Sequence, residues 1–337
     1  MNMSEAMHLT TNGLRGTLRK DVDMRRHTSW RAGGIVEQMY QRVDLADLQL
    51  FLRGLPTEEP VLAVGLGSNL LVRDGGLRGT VLLMHAALSE LQLEQDGTIY
   101  AQAGVPGAKL ARFAATHNLC GAEFFAGIPG TVGGMLTMNA GCYGGETWAV
   151  VERVQTVDRH GVLHERSPSE YDIGYRHVEK IGDRGSRIEH GSDPQSPILH
   201  PVSQEFFVGA WFRLQQGDGE VSRKEIKELL SKRINSQPLN LPNAGSVFRN
   251  PQGDHAARLI EASGLKGKKI GGAQVSEKHA NFIVNIEHAT ATDIENLIEE
   301  VRSVVKLKAG IDLHPEVRIV GETVVSMSKT EKEQKSK

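Results

Sequence analysis

The sequence predicts an α+β chain of about two domains, a larger glycine-rich part followed by a smaller α/β part. Three observations lead there. The 337 residues are about twice the usual share of roughly 150 per domain. Short apolar runs alternate with segments of helical period along the chain. The 37 glycines cluster in loops between residues 65 and 145, and such loops are gone beyond about residue 215. With 39% hydrophobic and 24% charged residues, the composition is that of an ordinary globular protein rather than a disordered one. A formal charge of −2 provides no general field for nucleic acid or an anionic membrane. Cys120 and Cys142 cannot build a disulfide framework. No apolar run reaches bilayer length, and the polar N-terminus lacks the apolar stretch of a secretory signal, so the expected location is the cytoplasm.

Taken in order, residues 1–20 read as a flexible leader. Asp44 is placed to cap a helix through Leu52. The run 60–64 reads as a buried strand ending at Gly65-Leu66-Gly67, and 80–84 as a second. A strand over 98–103 follows the Asp96-Gly97 turn. Residues 107–118 read as a helix that stops near Gly121. Strands over 151–157 and 161–164 form a hairpin around Arg159-His160. Residues 180–203, rich in Gly, Ser, Pro and His, read as a long loop, and a strand resumes over 205–214. Ser222 and Glu225 form a Ser-x-x-Glu capping box ahead of Ile226, Leu229 and Leu230. Asp254 caps a helix stopped by Gly264, and 280–286 is a strand. Thr292 and Glu295 form a second capping box for a helix ending before Gly310. A last strand, 316–321, has no evident parent domain, and 326–337 read as a disordered tail. Boundaries are expected near residues 20, 85, 214 and 312.

The chemistry lies in the glycine loops. Gly65-Leu66-Gly67-Ser68-Asn69-Leu70 has the first two glycines of a dinucleotide fingerprint, but Leu70 stands where the third is needed. There is no Gly-x-x-x-x-Gly-Lys-Ser/Thr loop. His160 and His164 are four apart but sit in a hairpin, and no metal constellation emerges. Three glycine loops remain, at 65–76, 127–134 and 139–145. Each is open to two readings: a tight turn, or a nest of N–H groups suited to a pyrophosphate.

Further residues complete a pattern. Gly65 to Gly75, Gly127-Ile128-Pro129-Gly130-Thr131-Val132-Gly133-Gly134 and Met138 to Gly144 resemble the flavin-binding segments of the UDP-N-acetylenolpyruvoylglucosamine reductases. Thr28 to Gly34 and Tyr171 to Arg176 match in the same way. In the second half, the segments Gln237 to Pro251, Gly271 to Asn281 and His314 to Arg318 are similar to that family's substrate-domain signatures. The order is consistent from about residue 22 to 322. The resemblance implies a two-subdomain FAD-binding fold (21–214, divided near 85), a smaller α/β substrate-binding domain (215–312) and a returning strand (313–325) that carries a catalytic glutamate. It implies FAD contacts at Gly65, Gly67, Ser68, Asn69, Leu70, Gly104, Gly127, Ile128, Pro129, Gly130, Gly133, Gly134, Asn139, Ala140 and Gly141. NADPH is the implied electron donor. The implied substrate is the enolpyruvyl ether of UDP-N-acetylglucosamine, reduced to UDP-N-acetylmuramate for peptidoglycan synthesis. No nucleic acid, membrane or obligatory protein partner is implied.

That reaction adds hydride to the terminal methylene of a carbon–carbon double bond, and negative charge develops beside a carboxylate. It needs preorganised donors there and one group to protonate carbon. By resemblance Ser246 is the proton donor, and Arg176 and Glu316 stabilise charge. The forked guanidinium suits a carboxylate, and burial would favour a protonated Glu316. All three are expected to gather about one double bond. Arg233, Asn250, Gln274 and His279 are expected on the carboxylate or the uridine diphosphate; for Arg233, complementing a helix C-terminus is an equal alternative. Cys142, where the family more often has alanine, reads as a small buried thiol. Val178 departs from the family's usual serine. The 180–203 loop is longer than expected and is read as an inert insertion rather than a lid. The chain resembles the branch without the tyrosine-bearing lid. Two rivals are weighed: a flavin oxidase of the wider fold, disfavoured by the segments around Ser246 and Glu316, and a non-catalytic nucleotide-binding module, disfavoured by the retention of Ser246, Arg176 and Glu316 together.

Overall fold

A computed structural model describes residues 13–85, 87–182 and 205–324. Most of the expected leader, residues 183–203 of the insertion and the tail lie outside these residues. The chain forms two compact units. Among the described residues, the first comprises 13–20, 38–68, 79–85, 87–182 and 205–237, and the second 21–37, 69–78 and 238–324. Its edges thus fall after Lys20, Glu37, Ser68, Arg78 and Gln237, where the sequence reading puts boundaries near 20, 85, 214 and 312.

The first unit is built on an antiparallel five-stranded sheet in the order Leu163–Arg166, Val151–Val157, Phe206–Phe212, Ile99–Gln102, Leu91–Leu93. The expected hairpin is its first strand pair, with Val154 opposite Arg166. Helix Gly107–Thr116 buries Leu110, Ala111, Ala114 and Ala115 on one face, which packs with Phe125, Val154 and Phe212 in a common core. Strand Val61–Val64 runs parallel to Leu77–Leu83, Val64 opposite Leu83. Asp44 caps helix Leu45–Gly54 as expected, accepting from the Asp47 N–H at 2.9 Å.

Helix Gly219–Ser236 belongs to the first unit, although the sequence reading assigns it to the second half. Its cap is Asp218 and not Ser222. Ser222 sits one turn inside, buried, with its hydroxyl on Glu123. The N–H of Gly219 donates to Asn118 Oδ1 at 3.2 Å, and Gln215–Gln216 pairs with Leu119–Cys120.

The second unit gathers its core around helix Ala291–Ala309, whose Ile294, Leu297, Ile298, Val301 and Val305 are all buried. They pack with helix Ala256–Ala262, with the three-stranded sheet Lys269–Ile270, Ala273–Val275, Ile283–Asn285, and with Trp30 and Leu71. The Trp30 indole donates to the Ile283 carbonyl at 2.8 Å, and Asn285 Nδ2 donates back to the Trp30 carbonyl at 2.9 Å. Two expected caps are corrected here. Thr290 and Asp293 form the capping box of the long helix, two residues ahead of the pair read from sequence. His255 is the cap position of the shorter helix, and its Ala256 N–H is taken by Asn250 Oδ1 at 3.1 Å; Asp254 pairs with Arg258 instead. Gly264 (φ +73°) and Gly310 (φ +70°) stop their helices in the left-handed region, as expected. The last strand, Arg318–Val320, finds its partner in Leu70–Val72, parallel, with Arg318 opposite Leu70.

Candidate active site

In the first unit, strand Val61–Val64 runs out into Gly65, Leu66, Gly67 and Ser68. Gly67 is left-handed at φ +63°. A Cβ on Gly65 would stand 2.6 Å from Thr131 Oγ1, and that buried hydroxyl has no hydrogen-bond partner among the described residues. Four N–H groups within residues 127–134 are committed inside the protein. The N–H groups of Ile128, Gly130, Val132 and Gly133 donate to the carbonyls of Phe125, Ile128, Val105 and Ala103 at 2.8–3.1 Å.

The glycines of this region separate into two kinds. At Gly104 a Cβ would lie 2.6 Å from the Met84 and Leu88 carbonyl oxygens, and at Gly127 it would strike Cys142 Sγ and the Tyr143 ring; packing alone demands glycine. At Gly130 nothing lies closer than 3.8 Å, and at Gly134, inside helix Val132–Thr137, nothing lies within 4 Å. Neither has a positive φ. Glycine in a helix costs about 1 kcal/mol relative to alanine, and here no protein atom requires it. The open backbone at Gly130 and Gly134 and the unpartnered Thr131 hydroxyl fit a bound group that approaches the main chain closely.

Asn139 has a different occupation. At φ +39°, its Oδ1 accepts from the Trp148 N–H at 3.1 Å, and its Nδ2 donates to Glu146 Oε2 at 3.0 Å and to the Gly174 carbonyl at 3.2 Å. It fastens the Gly141–Cys142/Gly145–Glu146 hairpin and the Tyr171–Gly174/His177–Lys180 hairpin. Ala140 and Gly141 lie at that fastening. Arg176 occupies the tip of the second hairpin, left-handed at φ +55°. For a side chain of this size that conformation costs about 1–3 kcal/mol, a pattern concentrated at functional sites. Val178, opposite Ile173 in this hairpin, packs on the apolar core.

Arg176 and Arg233 act electrostatically on the same thiol. Burial pushes Cys142 up to about 11, and the two arginines pull against it, so the thiol stays protonated near neutrality. Arg233 lies in the last turn of helix Gly219–Ser236, half-buried, with Nε on Gln237 Oε1 at 3.0 Å. Burial lowers its pKa. Both guanidiniums thus lie within electrostatic reach of Cys142.

The second unit brings Ser246 and Glu316 into one neighbourhood from 70 residues apart. Gly245 (φ +77°) turns the chain into Ser246. Past it, the N–H of Glu316 donates to the Val247 carbonyl at 2.7 Å and that of Arg249 to the His314 carbonyl at 2.9 Å. Asn281, which the sequence reading leaves without a role, clamps this segment: Oδ1 accepts from the Phe248 N–H at 3.0 Å and Nδ2 donates to the Phe248 carbonyl at 2.8 Å. Asn69 and Leu70 also belong to this unit. Asn250 has its Oδ1 committed to the helix cap. Gln274 Nε2 donates to the Gly267 carbonyl at 3.3 Å. The His279 ring lies edge-on to Phe282, 4.8 Å between centroids, and burial lowers its pKa; Nδ1 has no partner among the described residues. Arg176 and Arg233 belong to the first unit, and Ser246, Asn250, Gln274, His279 and Glu316 to the second.

Comparison with known proteins assigns the lineage. Residues 44–167 match a model described as an FAD binding domain, and residues 237–320 match the C-terminal domain of UDP-N-acetylenolpyruvoylglucosamine reductase. A UDP-N-acetylenolpyruvoylglucosamine reductase of Nitrosospira multiformis is 57% identical over 95% of this chain and 94% of its own length. The chain belongs to the UDP-N-acetylenolpyruvoylglucosamine reductase family. A second reductase of that name, from Nitrosomonas eutropha, is 55% identical over 95% of this chain and 93% of its own. A crystal structure of the Thermus caldophilus reductase superposes with a TM-score of 0.72 at 28% identity, covering 91% of this chain and 99% of that one. All fifteen positions expected to contact FAD lie inside the stretch matched by the FAD binding domain. Among the described residues no helix is long and apolar enough to cross a membrane.

Proposed function

We infer that this chain is an FAD-dependent UDP-N-acetylenolpyruvoylglucosamine reductase that oxidises NADPH. The observation that carries the reading is kinship with reductases of that name along nearly the whole length of both chains. When bound, FAD supplies a two-electron relay, accepting a hydride from NADPH and later giving one up. Gly65, Gly67, Ser68, Gly104, the 127–134 loop and Asn139 to Gly141 are the segments we assign to holding it. Open backbone at Gly130 and Gly134 supports this assignment.

For the substrate, hydride arriving at the terminal methylene leaves an electron pair on the carbon next to the carboxylate. Arg176 holds that carboxylate through its fork and stabilises the growing charge. Glu316 stabilises the same developing charge, as its place beside the Ser246-Val247 segment supports. Ser246 gives its hydroxyl proton to the carbon, which completes the lactyl ether. Arg233 supplies a second cation for the anionic substrate. The reading requires only FAD, NADPH and the sugar nucleotide, and we place the reaction in the cytoplasm.

The test follows colour. The holoenzyme should be yellow, bleach with NADPH under anaerobic conditions, and recover its colour when the enolpyruvyl substrate is added. Recovery with oxygen alone would make the chain an oxidase. Ser246→Ala should bleach at the normal rate but recover at least about a hundredfold more slowly; equal damage to both halves refutes the proton-donor role. Arg176→Lys, a point charge without the fork, should also slow recovery, and near-normal turnover removes Arg176 from the site.

A further inference from the structure

Asn69 follows Ser68 in the glycine loop, and the resemblance groups it with the cofactor residues, but its side chain is committed elsewhere. Nδ2 donates to the Glu316 carbonyl at 3.2 Å. The Asn69 carbonyl accepts the Arg318 N–H at 3.0 Å. Asn69 therefore brackets the Glu316–Val317–Arg318 segment at both ends, just before the parallel register Arg318 opposite Leu70 begins. On the other side, the Glu316 N–H donates to the carbonyl of Val247, the residue after Ser246, at 2.7 Å. Both main-chain polar groups of Glu316 are thus tied, one to Asn69 and one to the Ser246-Val247 segment. These ties fix the peptide planes on either side of its Cα, and with them the origin of its carboxyl group.

We propose that Asn69 is a positioning residue for Glu316, serving reduction of the substrate rather than retention of the cofactor. The proposal rests on the role given to Glu316 above. Loss of the amide frees the 316–317 peptide plane to tilt, and a displacement on the order of 1 Å at a reacting group can cost about a hundredfold in rate. Sequence pattern does not reveal this role, because the bond spans 247 positions and Asn69 stands inside a motif that reads as a flavin loop.

The experiment compares the holoenzyme with Asn69→Ala, Glu316→Gln and the double variant, following both half-reactions by anaerobic stopped flow. Asn69→Ala should retain FAD and bleach with NADPH within about twofold of the parent, while colour recovery with substrate slows at least about tenfold. The double variant should recover no more than about twofold more slowly than Glu316→Gln alone, because two residues acting through one group are non-additive. Should Asn69→Ala not fold, Asn69→Asp, which keeps the shape but turns the donor into an acceptor, is measured against the same expectations. Lost FAD or slow bleaching with normal recovery makes Asn69 a cofactor ligand and overturns the proposal; so does additive slowing in the double variant. Normal recovery in Glu316→Gln alone withdraws the role of Glu316 and the proposal with it, an outcome separable from the others because that variant leaves Asn69 untouched.

Discussion

Gly134→Ala separates the protein's own requirements from those of its cofactor. Gly134 lies inside helix Val132–Thr137 with no positive φ, and a Cβ there would meet nothing within 4 Å. Alanine removes the entropy that glycine gives the unfolded chain, so the flavin-free protein should gain about 0.5–1 kcal/mol. For a unit of this size that is about 1–4 °C in melting temperature. If the cofactor lies against this backbone, the same methyl occupies its space, and FAD affinity should fall about tenfold, or about 1.4 kcal/mol. The two effects cross: the variant melts above the parent without FAD and, once FAD is saturating for the parent alone, below it. Gly127→Ala is the contrast, because its methyl strikes Cys142 and Tyr143 and should cost about 1–3 kcal/mol with or without flavin. Thermal melts of both variants, with a fluorescence titration of FAD, decide the matter. An unchanged FAD affinity in Gly134→Ala refutes the reasoning, as does a lower melting point of its flavin-free form.

Arg73 and Glu295 form a bidentate pair with side chains 8% and 23% exposed, and Arg73 Nη1 also donates to the Gly321 carbonyl at 3.1 Å. Glu295→Ala leaves that guanidinium without its carboxylate and should cost about 3 kcal/mol in a urea titration; a loss below about 1 kcal/mol would class the pair with exposed ones. At acid pH the sensitive group is Glu205. Burial alone would raise its pKa, but hydrogen bonds from Arg166, Lys180 and Thr156 outweigh burial and bring it down to about 2. A depressed carboxylate pKa contributes stability that is present above the unfolded value near 4.3 and lost as pH falls from there towards 2. Glu205→Gln should therefore flatten stability against pH in that window, and an unchanged acid limb would contradict it.

The helix starts show why part of the fold is legible in sequence and part is not. Asp44 caps its helix although Arg15 also bonds its carboxylate, because Oδ1 accepts from the Asp47 N–H as well as from Arg15. The displaced caps share one cause. Ser222 is taken by Glu123, Thr292 by Asp74, Glu295 by Arg73 and Asp254 by Arg258. Three of these four bonds reach 99 residues or more along the chain. A local Ser-x-x-Glu or Thr-x-x-Glu pattern carries no mark of such a partner, so the capping reading displaces these two helix starts by four and two residues while their apolar period remains correct. The same limit accounts for helix Gly219–Ser236. Its amphipathic face is plain in sequence, but the surface that receives it, Asn118 to Glu123, is set by tertiary structure.

The candidate site divides along the same line. Glycines that pack against backbone, such as Gly104, and those that stand in open space, such as Gly134, are indistinguishable as letters; only the structure separates a steric requirement from room for a ligand. Ser246 and Glu316 are legible only as members of long motifs, because what joins them is main chain: Val247 with Glu316, Arg249 with His314, Asn69 with Arg318. None of these bonds depends on the side chain at 246 or 316. The framework is held instead by buried Val247, Phe248 and Val317 and by the Asn281 amide. The register of this segment is therefore set by main-chain pairing. It follows that Ser246→Ala and Glu316→Gln should disturb turnover far more than stability, whereas Asn281→Ala, which leaves the Phe248 N–H and carbonyl unpaired in a buried place, should lower both, with a stability loss of about 1–3 kcal/mol. A stable but inactive Asn281 variant would mean that the amide serves the reaction and not the framework.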